Sequence, residues 1–231
     1  AVYNQERINA YNDPNRDPNQ FPDNYWYGDI LTGSGFQQKH SMSLAGGNEK
    51  NKYRFSANYF DQAGLIRNMD FNRLTVRLNT DFKISDKLNF NADISGRLSG
   101  TDEPQATDGS AWFQFGQATK INPLESAKDE NGNWRALRGE HNVLRLQEEG
   151  GIFSNNDRLF TTNFRLNYLP VEGLTLSAVA SNNFQNQYLT NHTKRFTYSN
   201  ATSPIGRDQI TKNAIGYINQ NYQGLAEYTK V

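Results

Sequence analysis

Residues 71–98 read FNRLTVRLNTDFKISDKLNFNADISGRL, and this stretch decides the fold. Leu74, Val76, Leu78, Thr80, Phe82 and Ile84 alternate with Arg73, Thr75, Arg77, Asn79, Asp81 and Lys83. After Ser85-Asp86-Lys87 the alternation resumes, with Leu88, Phe90, Ala92, Ile94, Gly96 and Leu98 against Asn89, Asn91, Asp93, Ser95 and Arg97. Successive strand side chains point to opposite faces, so the pattern describes two strands with one largely apolar face and one polar face.

Strand length narrows the class. Strands of soluble domains usually run about five or six residues. The segment 74–84, at roughly 3.3 Å per residue and tilted by about 45°, climbs about 25 Å, the height of the apolar band of an outer-membrane barrel. The polar face cannot meet lipid, because Arg77 or Lys83 there would cost up to ~2–4 kcal/mol near the midplane. The expectation is therefore that Arg73, Arg77, Asn79, Asp81, Asp93 and Arg97 face a wet lumen. Leu74, Val76, Leu78, Phe82, Leu88, Phe90 and Ile94 are expected to face lipid. A sheet with one solvated face shows the same alternation but has no need of strands this long.

Composition fits this reading. Lys plus Arg equals Asp plus Glu, at 24 each, so no net field draws in nucleic acid. Mean hydropathy is strongly negative, and no run approaches the ~18 apolar residues of a helical span. A barrel dilutes its apolar positions with lumen positions and loops. Twelve Tyr, fourteen Phe and three Trp suit interfacial girdles or stacking on sugars, and the lack of Cys removes disulfides, zinc–cysteine sites and thiol chemistry. Residues 1–5 lack the charge and apolar core of a secretory signal, so an export signal is expected outside this chain.

Along the chain, 1–34 reads as an extracellular loop region rich in Pro and Asn turns, with a short helix within 5–11. Seven strands follow in 35–231, at 36–45, 52–61, 71–84, 88–98, 157–169, 174–188 and 217–228. Their connections alternate between short (46–50, 85–87, 170–173) and long (63–70, 99–156, 189–215). Outer-membrane barrels have short periplasmic turns and long extracellular loops, so 99–156 and 189–215 are expected outside the cell. The fold class is all-β, a partial transmembrane antiparallel up-and-down barrel. An odd strand count and two unpaired edges, each costing several kcal/mol per polar group in hydrocarbon, mark it as part of something larger.

The stretch FQQKHSMSLAGGNEKNKY at 36–53 closely resembles the barrel segment of SusC-like TonB-dependent outer-membrane transporters. Asp61-Gln62-Ala63-Gly64-Leu65-Ile66, Phe71-Asn72-Arg73 and the upstream Tyr25-Trp26-Tyr27-Gly28-Asp29-Ile30-Leu31 extend the likeness over 21–98. The resemblance implies a 22-stranded barrel with an N-terminal plug, engagement of TonB through a plug that this chain lacks, and a SusD-like surface lipoprotein as a lid. It implies a glycan or peptide cargo, nutrient uptake rather than catalysis, and no cofactor. No energy-coupling residue can be carried over.

For cargo or lid contact the long loop offers Trp112, Phe113, Phe115 and Trp134 as flat apolar surfaces, with Arg135, Arg138 and Arg145 as donors. The competing reading, that these aromatics pack the loop's own small core, is favoured for any single residue. Asp129-Glu130-Asn131-Gly132-Asn133 has the flavour of a calcium loop but lacks the ligand order and distal Glu, and a turn through Asn131-Gly132 is simpler. His40, His141 and His192 have no metal spacing. Arg73, Arg77 and Arg97 either tune the lumen or pair with Asp81 and Asp93 to hold the wall or plug. The leading reading is a segment of an importer in the outer membrane of a Gram-negative bacterium, in contact with outer-membrane lipid. The alternatives are a soluble or surface β-domain that binds carbohydrate through aromatic loops, or another type of outer-membrane barrel.

Overall fold

In the computed structural model, residues 4–18, 20–31, 33–105, 111–138 and 141–230 are described. Seven strands, β1 (Gln37–Gly47), β2 (Asn51–Ala63), β3 (Asp70–Ser85), β4 (Leu88–Pro104), β5 (Gly151–Tyr168), β6 (Leu174–Thr193) and β7 (Gln209–Tyr228), form one antiparallel sheet. They lie in chain order, each strand beside its sequence neighbours. β1 and β7 pair on one side only, so the sheet is an open arc. No helix of the described residues is long and apolar enough to cross a membrane, which says nothing of the strands.

Register fixes the faces. Leu74 pairs with Leu98, Leu78 with Ile94 and Phe82 with Phe90, while Thr75 pairs with Arg97, Asn79 with Asp93 and Asp81 with Asn91. The same apolar row continues through Phe55 opposite Leu78 and Leu44 opposite Phe55. On the other side Phe90 pairs with Leu166, and Leu166 with Ala178. The stacked rings of Phe82, Phe90 and Phe164 lie along this face, with centroids 6.4 and 6.0 Å apart.

Short turns join the strands at one end. Asn48 closes the first, its side-chain oxygen accepting from the N–H groups of Lys50 and Asn51 at 2.9 Å each. In the third, Gly173 sits at φ +79, and a Cβ there would lie 2.4 Å from the Thr229 carbonyl oxygen. This is a position that only glycine fills without strain.

At the opposite end the strands outrun the lengths read from sequence. β4 continues to Pro104 and β5 starts at Gly151, paired through Gly100–Asn156 to Pro104–Ile152. β6 runs to Thr193, and β7 begins at Gln209 rather than 217. The expected loops at 99–156 and 189–215 therefore shrink to 105–150 and 194–208. Two of these added rungs, Thr101–Asn155 and Asp102–Ser154, are polar on both faces, and Glu103 and Pro104 then oppose Phe153 and Ile152, so the ladder persists where the alternation has ended.

Among the described residues, four helices flank the strands: α1 (Gln5–Asn12), α2 (Trp26–Ile30), α3 (Ala111–Ala118) and α4 (Val143–Glu149). α1 coincides with the short helix expected in 5–11 and is capped by Asn4, whose side chain accepts from the Arg7 N–H at 2.9 Å. The buried apolar cluster lies here rather than on the sheet. Trp26, Ile30, Ala118, Ile121, Leu137 and Val143 pack together from α2, α3, α4 and the segments between them.

Candidate functional site: a polar wall beneath a looped cap

Two surfaces carry the chemistry. The first is the polar face of the sheet, bound by side chains across strands. Ser177 donates to Asn167 at 2.7 Å and Asn167 to Asn91 at 3.1 Å; Ser181 donates to Asn163 at 2.9 Å and Gln187 to Asn155 at 3.1 Å. Such a face presents many neutral donors and acceptors between its charged side chains.

All six residues expected on the lumen side share this face by register. The expected Arg–Asp pairs within β3 and β4 do not form. Asn79 donates to Asp93, and Asn91 donates to Asp81 at 2.6 Å. Arg97 instead reaches one strand further, to Asp157 at 2.7 Å. The shorter amides directly opposite the aspartates meet them first, which leaves the longer Arg97 side chain to span a diagonal. Arg73 lies over the Phe71 ring, 5.9 Å from its centroid.

The second surface is the cap, where segments 20–31, 33–35, 64–69, 113–138, 141–150 and 194–208 converge. Asn24 donates from its backbone to Pro123 O at 2.9 Å, and Gln147 from its side chain to Ile30 O at 3.3 Å. Asn68 donates to Gln147 O at 2.7 Å, and Arg67 pairs with Glu148 at 2.9 Å. Asn200 clasps Ala136 through both its backbone N–H and its carbonyl, at 2.7 and 3.0 Å. The hub is Asn142, fully buried: its amide donates to Ala127 O and Arg135 O at 2.8 and 2.9 Å, and its oxygen caps α4 at the Arg145 N–H.

The cap also accounts for most of the residues expected to meet cargo. Phe115 packs against the buried cluster, and Phe113 meets the edge of His141 at 5.3 Å. Trp134 is covered by the Lys128 ammonium, 3.9 Å from its ring centroid. Trp112 lies in α3, and its side chain falls outside the described residues. Arg135 spends its backbone on Ala127 and Asn142, whereas Arg138 is exposed and its N–H donates to Glu125 at 2.9 Å. Arg145 is buried over the Phe196 ring. Burial pushes its pKa down to about 10, so it remains charged at neutral pH. Burial likewise raises the Tyr198 phenol.

The 129–133 segment is a turn. The Asp129 carboxylate accepts from the N–H groups of Asn131 and Asn133 at 2.9 Å each, Gly132 takes φ +80, and Lys128 bridges Trp134. The N–H of Asn133 is the main cause that holds the Asp129 carboxyl below its ordinary range. Among the described residues, no three His, Cys, Asp or Glu side chains are grouped to hold a metal ion.

Sequence reasoning did not single out the open cleft of about 520 Å³ beside α1, lined by Ile8, Tyr11, Asn12, Arg16, Asp23 and Leu124. Arg16 and Asp23 face each other across it at 3.5 Å.

Against known proteins, no family model matches the chain. It is 25% identical over 215 residues to TonB-dependent receptor P26 of Formosa agariphila, and 24% identical over 200 residues to TonB-dependent receptor P39 of the same organism. These matches cover 89% and 84% of the chain. Among solved structures it superposes on the RagAB peptide transporter with a TM-score of 0.67 at 21% identity, over 89% of this chain and 23% of that one. The closed-closed state of the RagAB peptide importer gives 0.65 over 83% and 22%. The chain is thus similar in sequence to a segment of TonB-dependent receptors, and it shares the fold of part of the RagAB transporter. It spans about one fifth of the length of the curated relatives it matches, at 20% and 18%. The sequence likeness to TonB-dependent receptors thus reaches beyond residues 21–98 into the later strands.

Proposed function

We propose that this chain supplies seven wall strands and much of the extracellular cap of an outer-membrane TonB-dependent importer. The observation that carries the reading is the register-locked separation of faces, from Leu44 to Ala178 on one side and from Asn79 to Ser181 on the other. Strands of 16 to 20 residues in β3 to β7 are long enough to cross the apolar band and continue beyond it. In this reading the apolar face meets lipid and the polar face lines the lumen. The short turns are periplasmic and the looped cap is outside the cell.

The segment's part in transport is passive. The amide-rich wall offers weak, replaceable hydrogen bonds to a hydrated solute or to a plug, and the cap presents its surface to cargo and to a surface lipoprotein. The likeness to a peptide importer favours a peptide, while the exposed polar cap would equally accept a glycan; both are large polar nutrients. Coupling to TonB would pass through a plug that is not part of these residues. The cleft at Tyr11, Arg16 and Asp23, with Ile8 and Leu124 in its lining beside paired charges, offers a recess for the end of such a ligand.

An antibody against residues 101–156, used on fractionated source cells, tests the reading. A heat-modifiable outer-membrane band far larger than this chain is expected. A soluble band of this chain's own size would overturn it.

A further inference from the structure

Among the described residues, the apolar face of the sheet carries two cations that no ion pair neutralises, Lys212 near the upper end of β7 and Arg158 beside an apolar furrow. Arg158 shares a rung with Leu98 and Asn186, on the same side as Phe160 and Phe184. Its neighbour Asp157 points to the opposite face and is occupied by Arg97 and Gln185. Arg158 is exposed, and its guanidinium lies against the Tyr188 ring, 5.1 Å from the centroid. Among the described residues, no carboxylate forms an ion pair with it.

Immediately below Arg158 on the sheet is a furrow. Gly96 sits on a rung between Val76 and Phe160, and has no side chain to fill the space between them. The result is an open groove of about 250 Å³, walled by Val76, Leu98, Phe160 and Phe184, with Arg158 and Asn186 at one end. Arg158 lies ten residues above the turn end of β5 at Tyr168, which at a 45° tilt is about 23 Å, the upper edge of an apolar band about 25 Å tall. An apolar trough ending in an unpaired cation at that height matches a lipid: the trough takes an acyl chain, and the guanidinium, with its fixed fork of donors, takes a phosphate.

We propose that Arg158, Asn186 and the furrow over Gly96 form a binding site for a phosphate-bearing lipid of the outer leaflet, held against the outside of the wall. Tyr188 is a positioning residue that keeps the guanidinium upright. The site rests on the reading that the apolar face meets lipid.

The test uses the full-length receptor, purified from outer membranes in detergent and examined by native mass spectrometry with phosphatidic acid and, separately, diacylglycerol. The expected result is retention of phosphatidic acid well above diacylglycerol. Occupancy should fall at least fivefold in Arg158→Gln, persist in Arg158→Lys, and be unchanged in Lys212→Gln, a cation elsewhere on the same face. Equal retention of both lipids, or full retention by Arg158→Gln, would overturn the site while leaving the barrel reading intact. Recovery of the receptor only from the soluble fraction would instead remove the barrel reading. A Phe184→Cys variant that forms disulfide-linked dimers in intact cells would also overturn the proposal, because a second copy would then cover the furrow.

Discussion

Arg97 on β4 and Asp157 on β5 meet at 2.7 Å on the polar face, and Gln185 on β6 donates to the second oxygen of the same carboxylate at 2.6 Å. One aspartate thus ties three neighbouring strands together. Arg97 is more than a third exposed and Asp157 is mostly covered, at 39% and 14% of the side chain. Solvent screening therefore keeps the pair modest. A double-mutant cycle with Arg97→Leu and Asp157→Asn in the refolded full-length receptor should give a coupling of about 0.5–1 kcal/mol in urea unfolding. Asp157→Asn alone should be the milder change, since its remaining oxygen still accepts from Gln185.

The two faces should respond oppositely to the same kind of substitution. Leu78 lies in the middle of the apolar row, opposite Phe55 and Ile94, while Arg77 sits one residue away on the polar face. Leu78→Arg should destabilise the barrel in lipid vesicles by roughly 2–4 kcal/mol, and Arg77→Leu by much less. Equal costs at the two positions would contradict the assignment of faces.

The cap should melt independently of the wall. Asn142→Ala takes the side-chain donor from the Arg135 carbonyl, leaves the Ala127 carbonyl with only the Arg135 N–H, and removes the α4 cap. We expect a loss of about 2–4 kcal/mol confined to the cap. Amide exchange should accelerate across 113–150, with the strand amides and the heat-modifiable migration unchanged.

Acid should loosen the 129–133 turn. The folded pKa of Asp129 lies below its ordinary 3.8, principally because the Asn133 N–H donates to the carboxylate. A depressed carboxyl contributes its stability fully above the unfolded value and loses it as pH falls through the folded value. Exchange at Asn131 and Asn133 should therefore be pH-independent, once corrected for intrinsic rates, down to about pH 4, and rise below it. Asp129→Asn should abolish that rise.

Much of the wall was legible because burial of one face imposes a period of two, and residues 71–98 carry that period almost without interruption. Leu74, Leu78 and Phe82 needed no three-dimensional information to be grouped. The upper ends of β4 to β7 were not legible, because there the apolar and polar residues stop alternating: Thr101, Asp102 and Glu103 are polar in succession, and Ile152 and Phe153 are apolar in succession. The partner of Arg97 was missed for a related reason. Charge alone suggested Asp81 or Asp93, but Asn91 and Asn79 already stand opposite those carboxylates, and the register to β5 cannot be read across a 46-residue gap of loop and helix. In the cap, Phe115 proved to belong to a local core, as the favoured reading of a loop that long required. The hub Asn142 carried only the weak signal of an Asn before an apolar helix start.

The central claim is that one face of this sheet meets lipid and the other water, and cysteine scanning along β3 tests it most directly. The chain has no cysteine of its own. Single cysteines at positions 73 to 82 of the full-length receptor in intact outer membranes should alternate in reactivity. Arg73, Thr75, Arg77 and Asn79 positions should react with a small water-soluble maleimide, and Leu74, Val76, Leu78 and Phe82 positions only with a lipophilic one. Uniform labelling by the water-soluble reagent at all of these positions would contradict the account.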